Sequence, residues 1–300
     1  MARRPKPVPQ MTIAQFDRAF PTEEACKRYL QARRWPEAVA CPRCFQSDKV
    51  HPVKTMPFKW HCYRCNPDSG YRFSVIAGTI FENTNKPLRE WFRVVHLMLA
   101  SKKGMPALQI QRMMGFGSYE TAHSMCHKIR AALIEPEAKL GGIVEVDETY
   151  VGGKNRNRHA HKQIPDANGP MGKVAVIGAV KRKGNVIARV INRTDRATMD
   201  RFVHEVVSTN VSLLNTDEHT GYRNLGRTFP HQVIRKSTDY VVGAVHTNTI
   251  EGFWSLVKRG IMGSFHKVSR KYLPLYVAEF QFRYNNRHNP DIFGEAIAGC

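Results

Sequence analysis

Acidic residues are scarce in this 300-residue chain: 25 Asp and Glu stand against 46 Lys and Arg, a formal net charge of +21. With a pI near 9.9, that imbalance points to a polyanionic partner, of which nucleic acid is the common one. Long apolar runs are missing too. None approaches the roughly 18 residues that would span a bilayer, so no membrane partner is expected. The opening stretch MARRPKPVPQMTIAQF has basic residues but no continuous apolar segment, which argues against a secretory signal. There is no internal repeat and no low-complexity tract. Cysteine is sparse and odd in number, at seven. A secreted disulfide framework would spread its cysteines evenly. Here four fall in two tight pairs and Cys26, Cys126 and Cys300 are scattered, which fits a reducing compartment and one metal site. What the chain does have is enough apolar material to fold: 42% hydrophobic and 10% aromatic residues exclude a disordered polycation.

The texture changes along the chain and predicts a multidomain α/β protein. Residues 1–38 read as a helical lead-in, with Thr22, Glu24 and late arginines suiting a helix up to Trp35. Residues 39–85 hold the cysteine pairs among turns and strand-like runs such as YRFSVIAGTIF, a small β ribbon. Residues 86–138 read as helical. Leu88, Trp91, Phe92, Val95 and Met98 recur at helical spacing. The phrases PALQIQRMM, GFGS and SYETAHSMCHKIRAAL then give helix, Gly-containing turn and helix, the shape of a helix-turn-helix. Residues 139–300 read as a mixed-sheet domain: strands in GGIVEVDETYVGG, KVAVIGAVKRKG and NVIARVINR, a helix ATMDRFVHEVVS, a strand VSLLNTDEH, and helices NTIEGFWSLVKRG and KYLPLYVAEFQFRYNN.

Cys41-Pro-Arg-Cys44 and Cys62-Tyr-Arg-Cys65 are separated by 17 residues, the spacing of a structural zinc site. Each CxxC turn brings two thiolates onto one ion, and four complete a tetrahedron with no open position. His61 is a possible substitute ligand, but four cysteines suffice. Arg43, Lys59 and Arg64 lie on or near the knuckles, placed either for phosphate contact or simply as a solvated face.

Two apolar strands end in acids: Asp147-Glu148 after IVEV, and Asp217-Glu218 after SLLN. An acid at the edge of a buried sheet needs a cation. Side chains alternate along a strand, so Asp147 and Glu148 are expected on opposite faces, as are Asp217 and Glu218. The shorter aspartates are the better choice for holding a metal rigidly. The same pattern also describes ordinary strand-end acids. In HTNTIEGFWSLVKRG, Asn248 and Glu251 share a helix face and Lys258 lies two turns beyond Glu251. That combination suits a metal and a phosphate bound together. Asn248 reads equally as a helix cap.

Asp147, Asp217 and Glu251 followed by Lys258 resemble the DDE-plus-Lys signature of bacterial insertion-sequence transposases, with 33 residues between Asp217 and Glu251 and six between Glu251 and Lys258. The phrases VDETYVGGK, NTDEHTGY and HTNTIEGFWSLVKRG, after a CxxC zinc ribbon, resemble the group in which the transposase domain follows such a ribbon and a helix-turn-helix. The resemblance covers about residues 25–290. It implies an RNase-H-like catalytic fold with the aspartates on adjacent strands and the third ligand on a helix. It also implies Mg²⁺-dependent (or Mn²⁺-dependent) cutting at terminal inverted repeats, then joining to target DNA. Within the group the third ligand varies, so Glu251 and Asn248 are both candidates, with Glu251 preferred.

Double-stranded DNA is therefore the expected partner, engaged by a homodimer or higher synaptic assembly in the bacterial cytoplasm, at the nucleoid. Between Glu148 and Asp166 lie four Lys or Arg, two His and no acid, a basic loop in which Lys154, Arg156 and Arg158 are candidate phosphate contacts. Arg259, Lys271, Arg283 and Arg287 are further candidates, among aromatics that read mostly as core. In the second helix of the helix-turn-helix, Ser118, Tyr119 and His123 are early enough to reach base edges, while Lys128 and Arg130 would meet the backbone. The alternatives are an RNase-H-like nuclease that cuts without joining, and a non-catalytic zinc-ribbon DNA-binding regulator.

Overall fold

Threonines open the first two helices. Thr12 and Gln15 form a reciprocal capping box before α1 (Ile13–Ala19), and the Thr22 hydroxyl accepts from Ala25 N before α2 (Glu23–Arg34). The computed structural model describes residues 11–136, 138–153, 155–157, 159–165, 171–234 and 246–300. It divides into two compact units, residues 1–133 with 287–300, and residues 134–286.

In the first unit, β1 (Val50–Pro52), β2 (Lys59–Cys62) and β3 (Tyr71–Ser74) form an antiparallel sheet in the order β1-β2-β3. The strand-like run after Tyr71 is shorter than expected. From Val75 on it turns back, with Val75, Ala77 and Phe81 still buried. The ribbon leans on the end of α2: Arg34 donates to Val75 O and Ala77 O, and Trp35 meets Trp60 edge-on at 5.4 Å. Next come α3 (Leu88–Ala100), α4 (Ala107–Met114) and α5 (Tyr119–Ala132), close to their expected places. Gly115, left-handed at φ 67°, ends α4, and the Ser118 hydroxyl accepts from Glu120 N to start α5. Pro87 supplies no cap to α3. Glu23 does so from α2, its two carboxylate oxygens each accepting at 3.0 Å from Leu88 N and Arg89 N.

The second unit is built on β4 (Leu140–Val151), β5 (Val174–Lys181), β6 (Val186–Ile191), α6 (Arg196–Val206), β7 (Val207–Asp217), β8 (His231–Ile234), α7 (Asn248–Gly260) and α8 (Leu273–Asn285). The described strands make one sheet in the order β6-β5-β4-β7-β8. β4–β5 and β5–β6 are antiparallel; β4–β7 and β7–β8 are parallel. It is a mixed sheet, as the resemblance implies, with Asp147 and Asp217 on the neighbouring strands β4 and β7. Val144 and Val146 of β4 pack with Met199, Phe202 and Val203 of α6 on one face. On the other, Val151, Val176 and Val180 pack with Ile250, Phe253, Trp254 and Val257 of α7 and Phe280 of α8. Covering on both faces explains why β5 is apolar nearly throughout, and why the acids of β4 stand out within it. The sequence reading had no β8, no π-helical turn over Ile261–Phe265 and no last helix α9 (Ile292–Ala298). Nor does residue 300 end the mixed-sheet domain. Residues 287–300 belong to the first unit, where Phe293 joins Phe16, Phe20 and Phe92 in an aromatic cluster.

Gly178 of β5 stands opposite Asp147 in the β4–β5 register, and a Cβ there would sit 2.8 Å from the Trp254 ring. Glycine is what lets α7 lie on the strand beside Asp147. Gly178→Ala should therefore destabilise the second unit by about 1–3 kcal/mol, measured by urea unfolding. An unchanged midpoint would mean that Trp254 does not lie on the strand.

Candidate active site

The four cysteines of the CxxC pairs converge, each offering a sulfur within 4.8 Å of the others. Cys41 Sγ lies 3.7 Å from Cys65 Sγ, and Cys44 Sγ 3.7 Å from Cys62 Sγ. A tetrahedron with zinc–sulfur bonds of about 2.3 Å has edges of roughly 3.8 Å, so the donor set fits zinc. Against the burial that raises it, backbone N–H groups of Cys65 and Arg64 bring the Cys62 thiol down to about 7, while burial keeps the Cys41 and Cys65 thiols raised, so it is the convergence of the four sulfurs that fits zinc. Arg43 is not a free phosphate contact. Its guanidinium stacks 3.7 Å from the Tyr71 ring centre, while Arg64 pairs with Asp48 at 3.5 Å.

The carboxylates gather where β7 ends beside the second half of β4. Asp147, Glu148 and Asp217 each place an oxygen within 4.8 Å of the others. Glu148 corrects the expectation that only one of the two neighbours could face a shared site. The β4–β7 ladder stops at Glu145↔Asn215. Beyond it β7 no longer flanks β4, and the longer Glu side chain can reach toward Asp217. Tyr222 donates its hydroxyl to Glu148 Oε2 at 2.9 Å, and His219 Nε2 lies 3.9 Å from Oε1. Burial first, and then the charge of Asp217, raise the Glu148 carboxyl above its ordinary range. The backbone N–H of His219 holds Asp217 Oδ1 at 3.0 Å. Hard oxygen donors at this separation, one already pushed up by a like charge, fit a divalent cation.

Glu251 lies outside that cluster. It is half-buried on the first turn of α7, and its Oε1 accepts from the Thr247 hydroxyl at 3.2 Å. Lys258 and Arg259 are exposed further along the helix. Asn248 does not cap α7. It is the exposed first residue of the helix, and the N-terminal N–H groups are taken by Glu145 of β4. Glu145 was missed by sequence reasoning; the available signal was an acid inside the apolar run IVEV.

Arg130 is 1% exposed and so cannot meet a phosphate. It shares the inward face of α5 with Ala122, Cys126 and Ile129, a phase that overrides its charge. Arg283 is likewise engaged inside, 3.0 Å from the buried Glu279. Ser118 is occupied as a cap. His123 Nε2 lies 3.1 Å from His127 Nε2, and Tyr119 is exposed. Lys128, Arg156 and Lys271 are exposed; Lys154 and Arg158 lie outside the described residues.

Residues 139–285 match the ISXO2-like transposase domain, and residues 21–67 match the transposase zinc-ribbon domain. The chain belongs to this transposase family. It is a DDE transposase with a zinc ribbon. A protein of transposable element ISH50 from Halobacterium salinarum is 27% identical over 290 residues, covering 89% of this chain and 92% of that one. Among solved structures, a simian T-cell lymphotropic virus intasome in complex with a PP2A regulatory subunit aligns at 13% identity and TM-score 0.31, over 58% of this transposase and 63% of that chain. A pre-cleavage Mos1 transpososome aligns at 12% and 0.28, over 93% and 97%. Among the described residues no helix is long and apolar enough to cross a membrane.

Metal binding to the ribbon is coupled to its folding. Fresh protein should carry about one zinc per chain by elemental analysis. Cys41→Ser should lose the zinc and the order of the ribbon while the second unit stays folded. Protein purified with no zinc would contradict this site.

Proposed function

We propose that this transposase binds the terminal inverted repeats of an insertion sequence, cuts the ends and joins them to target DNA. The observation that carries the reading is the cluster of Asp147, Glu148 and Asp217 on neighbouring parallel strands, with Asp217 closing β7. Asp147 and Asp217 hold Mg²⁺ (or Mn²⁺) with Glu251 as third ligand, and Glu148 adds a carboxylate that Tyr222 orients. A divalent cation held there would supply the Lewis acidity that activates water for cutting or a 3′-hydroxyl for joining and that stabilises the leaving oxygen. Lys258, two turns along α7 from Glu251, holds the terminal phosphate. No residue need serve as a covalent nucleophile, so Tyr150 and Ser255 have no such role.

DNA runs over the exposed bases Arg156, Arg259 and Lys271, with Lys154 and Arg158 flanking Arg156 in sequence. The helix-turn-helix of residues 86–138 reads the ends with Tyr119 and His123, and Lys128 contacts the backbone. The ribbon of residues 39–85 and the catalytic domain from residue 139 complete the assignment. The protein works in the cytoplasm at the nucleoid, as a dimer or higher synaptic assembly.

Asp147→Asn and Asp217→Asn each remove a metal-holding charge and keep the shape. Both should abolish cutting and joining of a plasmid carrying the repeats. Binding to the ends should stay intact or strengthen slightly, because a negative charge near phosphate is gone. Cutting without joining by the wild type would select the nuclease; binding alone would select the regulator. Equal cleavage by wild type and Asp217→Asn in Mg²⁺ would refute the assignment.

Affinity for DNA should fall by roughly 10³-fold or more between low and moderate salt, as released counterions dominate binding. Changing Lys154, Arg156 and Arg158 together to Ala should weaken binding to every sequence alike, in titrations by fluorescence anisotropy. Full non-specific affinity in that variant would move the DNA away from this loop.

A further inference from the structure

Glu145 is wholly buried, two residues before Asp147 and on the same face of β4. Its Oε2 accepts from Thr249 N at 2.8 Å and Ile250 N at 3.1 Å. Its Oε1 accepts from the Thr249 hydroxyl at 2.9 Å and Arg182 Nε at 2.6 Å, and His246 Nδ1 lies 3.3 Å away. Arg182 follows β5, and its Nη2 donates to His246 O at 3.0 Å; Asn215 Nδ2 of β7 reaches the same oxygen at 3.5 Å. One carboxylate and its partners thus tie three strands to the start of α7. Thr247, which precedes the helix, makes no side-chain cap of its own.

A buried carboxylate costs several kcal/mol unless it is paired and hydrogen-bonded. Here the cost is offset by a guanidinium, a hydroxyl and two helix N-terminal N–H groups, whose dipole favours an anion. The geometry fixes more than stability. Glu251 is the residue after Ile250, and Trp254, one turn later, lies on Gly178 opposite Asp147. α7 is therefore held at two points, by Glu145 at its first turn and by Trp254 on the strand. Together these set the height and rotation of the helix relative to Asp147.

We propose that Glu145 is a positioning residue of the transposase: a buried latch that sets α7, and with it Glu251 and Lys258, against the aspartate pair. The proposal rests on the catalytic reading above. It is distinct from that reading because both oxygens of Glu145 are engaged within the chain, by Thr249, Ile250 and Arg182.

Glu145→Gln keeps the shape but turns an amide NH₂ toward donors. Three readouts on the full-length protein test it. Amide exchange by mass spectrometry should speed up at least tenfold over 248–252 and stay unchanged over β5. The Mn²⁺ binding midpoint, followed by electron paramagnetic resonance without DNA, should weaken about tenfold. Single-turnover cutting of bound ends should slow by about 10²-fold, the penalty typical of a catalytic group misplaced by about 1 Å, while end affinity stays the same. Thr249→Val removes one donor only. It should give the same changes in smaller measure, and it decides the question if Glu145→Gln fails to fold. Faster exchange with wild-type Mn²⁺ midpoint and cutting rate would overturn the proposal and leave Glu145 a plain helix cap. Wild-type protein that cuts no ends with any divalent ion would defeat the transposition reading instead, and the latch would be judged on exchange and Mn²⁺ binding.

Discussion

A carboxylate withdrawn from water must be neutralised, and the second unit carries Glu145, Asp147, Glu148 and Asp217 to one region of its sheet. The four are treated differently. Glu145 is satisfied from within the chain by Arg182, Thr249 and the start of α7. Asp147, Glu148 and Asp217 are pressed together instead, with Glu148 raised by burial and by the charge of Asp217. Neutralising the first builds the fold. Leaving the other three crowded makes a place where a divalent cation would offset their mutual repulsion. The strand order does the sorting, because β7 leaves β4 just where the structural acid gives way to the crowded ones.

The same device occurs in the first unit. Helix α3 begins at Pro87 without a cap, and Glu23 reaches across from α2 to its first N–H groups. Helices that carry their own caps, such as α1, α2, α5 and α6, are bounded locally by Thr12, Thr22, Ser118 and Asp195. Helices that borrow a cap are bounded by tertiary structure, and their position is tied to the lending element. For α3 the tie is architectural. For α7 it ties Glu251, and Lys258 beyond it, to the strand that carries Asp147.

This difference explains what could be read in advance. The zinc spacing, α2 to α8 and strands β4 to β7 were legible because each repeats a local signal: paired cysteines, a helical stripe or an apolar run. The four-residue β8, the seven-residue α9 and the π-helical turn are too short to repeat anything. The site was legible in part for a related reason. Asp147 and Asp217 follow from apolar strands ending in acid. Glu148 was set aside by strict alternation, which the strand keeps, but its longer side chain reaches Asp217 past the end of the β4–β7 ladder. The role of Glu145 depends on residues more than a hundred positions away, which no local pattern contains.

Arginine shows the limit of reading function from charge alone. The sum of +21 counts Arg130, Arg182 and Arg283 as if all faced solvent, yet Arg130 is buried, and Arg182 and Arg283 are paired with the buried Glu145 and Glu279. Lys128, Arg156, Lys258, Arg259 and Lys271 are exposed. Screening limits a surface charge to about 8–10 Å at physiological salt, so only the second group can feel a phosphate backbone directly. Arg182 and Arg283 act inside the fold instead, each neutralising a buried carboxylate. A substitution at an exposed cation changes the surface charge, whereas one at Arg182 or Arg283 leaves a buried carboxylate unpaired, so the two need not have the same effect.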